Sequence, residues 1–362
     1  MNILFISLRD PDGKSQGGSQ CTNRNYTVLS DLVGKKNIEL INLTKDPSTS
    51  LLYKGYKFLN LLFLNYWGLT FSKIRHITSI AENYDIVFVD TSMYGNIASV
   101  LKRNKYKGKI ICFFHNIEFK LRKEISFVNP FSLWEMLHAY VNEKNAIKYA
   151  DIAVSLNQKD SLELQKKYGR RKITIIPITL PDISNPERIE NMEQISVPPT
   201  LLFVGSYYYA NVHGVKWFVK NVMPETDARL QIIGKGMGRL FRNLKTRNIE
   251  VFDYVEDISD YIINADFIIS PVFKGSGMKV KICEALMYGK NIIGTEESFE
   301  GYDMDVNKTG TVCNTKEEFI KALDGNWFQK RTKYNSYSRN IFLSKYTSES
   351  VSNIFLEIIN SK

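Results

Sequence analysis

Short apolar runs recur along the chain, spaced so that a helix fits between each pair. In the first half they fall at 3–7, 38–43, 86–89, 110–114, 152–155 and 173–176. A polar, glycine-bearing loop follows the first run, and helical periodicity returns at 22–32. The runs are rich in Ile and Val and do not alternate with polar residues. Strands of that kind are buried on both faces, in a parallel sheet flanked by helices. Residues 177–199 then change character, with Pro177, Pro181, Pro186, Pro198 and Pro199 among acids and Asn. They read as a linker. A second series opens at 201–204 and continues at 230–233, 249–252, 267–270 and 291–294.

The pattern therefore predicts an α/β protein of two doubly wound, Rossmann-like domains. The expected boundaries are 1–178, a linker at 179–199, and 200–339. An amphipathic helix at 346–359, within a tail of 340–362, is expected to pack back on the first domain. Ligands of such sheets bind beyond the carboxyl ends of the strands. Two domains joined this way are expected to face across a cleft that holds the site.

Composition excludes other classes. With 362 residues, 44% hydrophobic and 24% charged, the chain is long enough for two cored domains and is neither disordered nor fibrous. Cys21, Cys112, Cys283 and Cys313 are scattered, with no zinc-ligand spacing and no disulfide framework. The start, Met-Asn-Ile-Leu-Phe-Ile-Ser, has no basic leader and reads as a first strand, so a reducing, cytoplasmic setting is expected.

Charge adds a partner. Residues 1–186 hold 26 Lys/Arg against 16 Asp/Glu, whereas the remainder holds 22 of each. A one-sided basic excess points to an anionic partner met by the first half. No nucleic-acid motif accompanies it, so nucleic acid is not expected. Residues 47–81 contain no acid, and Lys54, Lys57, Lys73 and Arg75 interleave there with aromatics and leucines. The uncharged run between Lys57 and Lys73 is too short to span a bilayer, which takes roughly 20 apolar residues. The stretch reads either as an interfacial segment on an anionic membrane surface or as a core helix pair with surface lysines.

The most informative stretch is 271–289, PVFKGSGMKVKICEALMYG. It follows a strand, and Gly275-Ser276-Gly277 leads into a helix expected from about Met278 to Gly289. A glycine loop feeding a helix start offers free N–H groups to an anion. Lys274, Lys279 and Lys281 oppose the helix dipole there unless an anion, diphosphate above all, relieves them. Glu284 shares a face with Lys281 and suits the vicinal hydroxyls of a sugar.

These residues resemble the nucleotide-binding motif of family-4 retaining glycosyltransferases, which adopt the GT-B fold and often build bacterial surface polysaccharides. The matches extend along most of the chain. Leu202-Phe203-Val204-Gly205-Ser206 followed by Asn211-Val212-His213-Gly214 resembles the start of that family's second domain. Ile232-Ile233-Gly234 resembles its next strand, and Glu143 with Ala150-Asp151 through Ser155 resembles the end of its first. Gly17 and Gly18, after strand one, lie where the family faces donor phosphates and acceptor. The resemblance implies that Glu284 binds ribose hydroxyls. It also implies that Gly17, Gly18, Gly205, His213, Lys274, Ser276, Gly277, Lys279 and Lys281 bind the donor. His115, at a strand end, would contact the transferred sugar or cap backbone groups, and Glu118 would orient the acceptor or a loop. No cofactor or metal is implied: the donor is a nucleotide sugar, and the acceptor a glycan or lipid-linked sugar. Asp303-Met304-Asp305 has metal-clamp letters but reads as a turn.

The chain departs from the family at Ser276, where relatives carry a leading glutamate, and at Ser206, where many carry arginine. These gaps keep a non-catalytic GT-B scaffold in view, beside a nucleotide-sugar epimerase. A dehydrogenase is disfavoured because Gly13 with Gly17-Gly18 is a poor dinucleotide fingerprint.

Overall fold

In a computed structural model, the structure describes residues 1–11, 17–43, 62–66, 68–126, 132–169, 172–185, 187–188, 195–241, 248–324 and 326–361. Much of the 47–81 stretch, including Lys54 and Lys57, lies outside the described residues, as does Trp67. The chain divides into two units: Met1–Pro177 with Val351–Lys362, and Ile178–Ser350.

Unit 1 contains strands β1 (Ile3–Ser7), β2 (Ile38–Asn42), β3 (Ile86–Val89), β4 (Lys109–Phe114), β5 (Ile152–Ser155) and β6 (Thr174–Ile175). They form one parallel sheet in the order β2-β1-β3-β4-β5-β6. Its principal helices are α1 (Gly17–Val33), α2 (Phe71–Ala81), α3 (Gly95–Arg103), α4 (Glu118–Ser126), α5 (Ser132–Tyr149) and α6 (Gln158–Tyr168). One face of the sheet, including Leu4, Ile6, Val87, Val89 and Ile110, packs into the core beneath Ile77, Ile97 and Ile147. On the other face Phe5 stacks on Phe88 at 5.1 Å, and Phe88 lies 6.5 Å from Phe355 of the C-terminal segment. Both faces are covered, which is why these strands carry no polar alternation.

Unit 2 contains β7 (Thr200–Val204), β8 (Arg229–Ile233), β9 (Ile249–Phe252), β10 (Phe267–Ser270), β11 (Asn291–Gly294) and β12 (Gly310–Val312). All run parallel, in the order β12-β11-β10-β7-β8-β9. Its principal helices are α7 (Tyr209–Asn221), α8 (Val280–Met287) and α9 (Lys316–Asp324). Two doubly wound parallel α/β units are thus present, as the apolar runs predict. Strand β12 is missing from those runs: it has three residues, opens on Gly310 and pairs at the sheet edge.

Two boundaries differ from expectation. Residues 178–185 are held to unit 2 rather than forming a free linker. There Leu180 N–H donates to the Tyr346 carbonyl at 3.0 Å. Arg339, nearly fully buried, binds Asp182 through both guanidinium nitrogens, at 2.5 and 3.1 Å, and donates to the Met287 carbonyl at 2.8 Å. Such a bidentate pair, with a further bond from its buried cation to a carbonyl, fastens a proline-rich stretch without secondary structure. The C-terminal helix, α10, spans Ser352–Asn360 rather than starting at Tyr346. Residues 340–350 therefore stay in unit 2, where the Tyr346 hydroxyl accepts from Asp303 N–H at 2.7 Å. Helix α10 itself groups with unit 1, as expected, and Lys109 Nζ donates to the carbonyls of Ile358 and Ile359 at 3.0 and 2.8 Å, satisfying its last turn.

All four cysteines are free and buried. Among the described residues, no helix is long and apolar enough to cross a membrane.

Helix α3 lies close on α5 because Gly95 has no side chain: a Cβ there would collide with the Asn142 carbonyl oxygen and come within 2.7 Å of Ala146 N. Both obstacles are helix backbone and cannot rotate away. Gly95→Ala is expected to destabilise unit 1 by about 2–3 kcal/mol. The check is the urea midpoint of the variant beside wild type; equal midpoints would contradict the close packing.

Candidate active site

Each unit gathers polar groups at the carboxyl edge of its sheet, beside its first strand, where the strand order reverses. This is the crevice in which open α/β sheets bind ligands.

In unit 1 the switch point lies between β1 and β3. Asp90 follows β3, His115 follows β4, and α1 brings Cys21, Thr22, Arg24 and Asn25 over both. The Asp90 carboxylate accepts from Thr22 Oγ1 and Asn25 Nδ2, each at 2.6 Å. Its own carbonyl oxygen accepts from His115 Nε2 at 2.7 Å, and the carboxylate lies 3.3 Å from the same nitrogen. Burial alone would favour a neutral ring, but the Asp90 and Cys21 charges outweigh it and raise His115 to about 10. Burial pushes the Cys21 thiol up, yet Arg24 and His115 pull it below the ordinary thiol range. Arg24 Nη2 is 3.3 Å from Cys21 Sγ. His115 is therefore an imidazolium held inward on a buried carboxylate, with Nδ1 also buried.

Glu118 opens α4. Its backbone N–H donates to Glu143 Oε1 at 2.6 Å, its side chain accepts from Asn116 Nδ2 at 3.2 Å, and Arg122 lies 3.6 Å away. Glu118 is mostly buried within an ion-pair network rather than solvated. Glu143, the carboxylate beneath the α4 N-terminus, is fully buried, and that burial raises it to about 8 although Tyr168 OH donates to it at 2.8 Å. Gly17 and Gly18 form the start of α1.

In unit 2 the switch point lies between β7 and β10. The loop after β7 begins at Gly205, where a Cβ would sit 2.8 Å from Asn211 Nδ2. Gly214 of α7 abuts the Pro271 carbonyl so closely that any side chain would collide with it. These approaches bring α7 against the loop after β10. Asn211 then bridges two elements: its Nδ2 donates to the Ser206 carbonyl at 3.1 Å, and its Oδ1 accepts from Lys281 Nζ at 2.9 Å.

Helix α8 begins at Val280, not Met278. Gly277 takes a left-handed φ of 72°, and Lys279 is still extended at the N-cap. This two-residue shift reassigns the lysines. Lys281 is not on the surface beside an anion. It is buried with its Nζ 4.0 Å above the Phe203 ring, and burial lowers it to about 7 although Glu284 opposes this. Lys279 binds the Gly277 carbonyl at 2.9 Å and Glu297 Oε1 at 2.5 Å. Glu297 comes from the loop after β11 and is raised to about 7 by burial and by sharing a hydrogen bond with Glu300, against the pull of Lys279. Glu284 is half-buried on α8 beside Lys281, and Ser276 is half-buried in the loop. Lys274 and His213 are exposed, and the His213 ring meets Phe273 edge-on at 6.3 Å.

The structure thus brings Gly205, Ser276, Gly277, Lys279, Lys281 and Glu284 to one switch point. It adds Asn211 and Glu297, which motif spacing does not single out. Asn211 was legible only as part of a loop pattern, and Glu297 arrives from the next strand, 18 residues beyond Lys279. Asp305 caps a short helix through Asn307 N–H at 3.1 Å, and Asp303 pairs with Lys345 at 2.6 Å, so this pair is a turn. Among the described residues, no group of three or more His, Cys, Asp or Glu is placed to hold a metal ion.

Residues 198–325, within unit 2, match the family model described as glycosyl transferases group 1. No curated protein matches the chain. Solved structures resemble it along its whole length. HepE from Anabaena, in complex with UDP-glucose, is 15% identical over 100% of both chains, with a TM-score of 0.69. Sucrose-phosphate synthase from Thermosynechococcus elongatus is 13% identical over 99% of this chain and 98% of its own, with a TM-score of 0.71. The catalytic domain of starch synthase IV from Arabidopsis thaliana, bound to ADP and acarbose, is 10% identical over 99% and 98%, with a TM-score of 0.67. At such identities the likeness establishes the GT-B fold. The matched domain and the fold together define the class of the protein: a glycosyltransferase of GT-B architecture.

The His115–Asp90 pair carries a pH signature. Its folded-state pKa, about 10, lies above the ordinary 6.5 of histidine. The stabilisation is therefore full below about pH 6.5 and is lost as pH rises through about 10. Asp90→Asn is expected to cost roughly 2–3 kcal/mol near neutral pH and far less above pH 10. Melting temperatures of both proteins from pH 6 to pH 11 test this, and a constant difference across that range would refute it.

Proposed function

We propose that the protein is a retaining glycosyltransferase that moves a sugar from a nucleotide diphosphate donor to a hydroxyl acceptor. The observation carrying this reading is the switch point of unit 2, inside the segment that matches the glycosyltransferase model. There, a glycine-lined loop, the start of α8, Lys279 and Glu284 converge. HepE, the same fold, was solved with UDP-glucose, which supports a nucleotide sugar as donor.

In the proposed reaction the bond from the anomeric carbon to the diphosphate oxygen breaks, and a bond to the acceptor oxygen forms on the same face. The acceptor hydroxyl gives its proton to the departing diphosphate. That leaving group gains negative charge, and preorganised N–H donors at the α8 start, with Lys279 and the exposed Lys274 and His213, would stabilise it. Glu284 would hold the ribose hydroxyls. Lys281 would act from below, through Asn211, by fixing the loop after β7. In unit 1, where His115 is held inward on Asp90, the basic surface would receive the acceptor. No metal takes part in this scheme. The acceptor is proposed to be a lipid-linked or growing glycan of surface polysaccharide synthesis, met on the inner face of a membrane. Charge asymmetry supports that placement, together with the acid-free 47–81 stretch.

The scaffold reading draws on two observations: Lys279 is already engaged by Glu297, and Ser276 stands where relatives carry a carboxylate. Nucleotide binding with turnover separates the two.

The test is a thermal-shift panel of UDP, GDP, ADP and NAD with their sugar derivatives, followed by transfer assays on the responding donor. A ligand at 100 times its Kd stabilises by about 2.7 kcal/mol, which is readily seen. One nucleoside diphosphate is expected to shift the protein, and Glu284→Ala to weaken its binding by about 10- to 100-fold, the worth of a hydrogen bond to a charged group. A response to NAD alone, or to nothing, would overturn the reading.

A further inference from the structure

Helix α5 is amphipathic in an unusual sense. Its inner side buries His138, Ala139, Asn142, Glu143, Ala146 and Ile147. Its outer side should then be polar, as on most surface helices. Instead Leu133, Trp134, Leu137 and Tyr140 stand 56%, 42%, 40% and 36% exposed over its first half. Lys144 and Lys148 continue the same stripe, both exposed. Positions 133, 137, 140, 144 and 148 follow helical spacing, so apolar groups occupy one end of one face and ammonium groups the other.

A second segment of the same unit also exposes apolar side chains. Leu62, Phe63 and Phe71 are exposed as well. The intervening chain is tied to α5 and its neighbour. Asn142 Nδ2 donates to the Leu64 carbonyl at 3.0 Å. Arg122 bridges the Tyr66 hydroxyl at 3.3 Å and Glu135 of α5 at 2.7 Å. Four large apolar side chains thus stand exposed on the first half of α5, and three more on a separate segment tied to the buried side of the helix through Asn142. Scattered exposed leucines need no explanation, but apolar side chains gathered on one helix face and continued by lysines mark an interaction surface.

The partner's chemistry follows from charge. The whole basic excess of the chain lies in residues 1–186, so a second copy meeting this face would bring like charge against like. An anionic lipid surface satisfies both ends of the stripe. Leucines enter the acyl boundary, Trp134 and Tyr140 suit the headgroup level, and lysines pair with lipid phosphates. We propose that the outer face of α5, with Leu133, Trp134, Leu137, Tyr140, Lys144 and Lys148, lies flat on an anionic bilayer. This rests on the membrane reading given above but not on the transfer chemistry, and it places the contact on a described helix outside 47–81.

Co-sedimentation with vesicles tests it, using pure phosphatidylcholine beside a 7:3 mixture with phosphatidylglycerol. Wild type is expected to bind the mixed vesicles at least tenfold more strongly, and raised salt to weaken that binding. Trp134→Ser with Leu137→Ser should cut partitioning about tenfold, and Lys144→Gln with Lys148→Gln several-fold. Trp134 packs edge-on against His138 at 5.4 Å, so circular dichroism confirms that each variant folds, and the exposed pair Lys144→Gln with Lys148→Gln is expected to leave the melting temperature unchanged. Binding that is absent, indifferent to phosphatidylglycerol, or unaffected by both double variants would overturn the proposal. So would a wild-type dimer in light scattering that Trp134→Ser with Leu137→Ser abolishes. Failure of nucleotide binding with vesicle binding intact would strike only the transferase reading.

Discussion

Close backbone approach organises unit 2. Gly214 lets α7 rest against the Pro271 carbonyl, and Gly234 lets the loop after β8 meet the Gly205 carbonyl. A side chain at either place would strike backbone, which cannot turn aside. With both glycines present, the loops after β7, β8 and β10 crowd together at the switch point. Asn211 then reaches both Ser206 and Lys281, so the three-loop assembly is stitched by one amide. The binding surface is a consequence of missing methyl groups as much as of the charged residues that motif reading highlights.

The two units handle buried charge differently. Unit 1 buries a matched set: a carboxylate receiving two neutral donors from α1, an imidazolium, and a thiol beside a guanidinium. Each charge has a partner, so the cluster holds its shape and keeps the histidine protonated over the physiological range. Unit 2 buries a lysine against an amide and an aromatic face, with Glu284 nearby on the same helix. Its ammonium is weakly supported, and its pKa falls accordingly. The second lysine, Lys279, keeps a full ionic partner in Glu297. A diphosphate bound there, as proposed, would meet one cation that is already shared and another that burial has weakened. Anion affinity would then lean on backbone N–H groups at the helix start, which need no charge of their own.

Surface chemistry separates the units again. The exposed apolar residues of α5 and of the segment near Phe63 sit in the basic unit, while unit 2 is electrically balanced. Were the α5 face to adsorb to an anionic surface as proposed, its apolar side chains and its lysines would contribute together.

The apolar runs determined the architecture almost completely, because a strand buried on both faces of a parallel sheet has to be a short block of Ile, Val and Phe. Eleven of the twelve strands were legible this way; Gly310–Val312 was not, since three edge residues make no pattern. The glycine loop, Lys279 and Glu284 were legible too, through local spacing on one strand-loop-helix segment. What only the tertiary structure decided was partnership. Helix α8 starts two residues late because Gly277 is left-handed and Lys279 extended, and this turns Lys281 inward instead of toward an anion. Asp90, Asn211 and Glu297 acquire their roles from elements that are neighbours only after the sheets assemble. The proline-rich stretch after Pro177 reads as a linker until Arg339, more than 150 positions away, grips Asp182. Periodicity records which side of an element is buried; long-range pairing of charges is written in no local spacing, because the partners are chosen by the order of strands in the sheet.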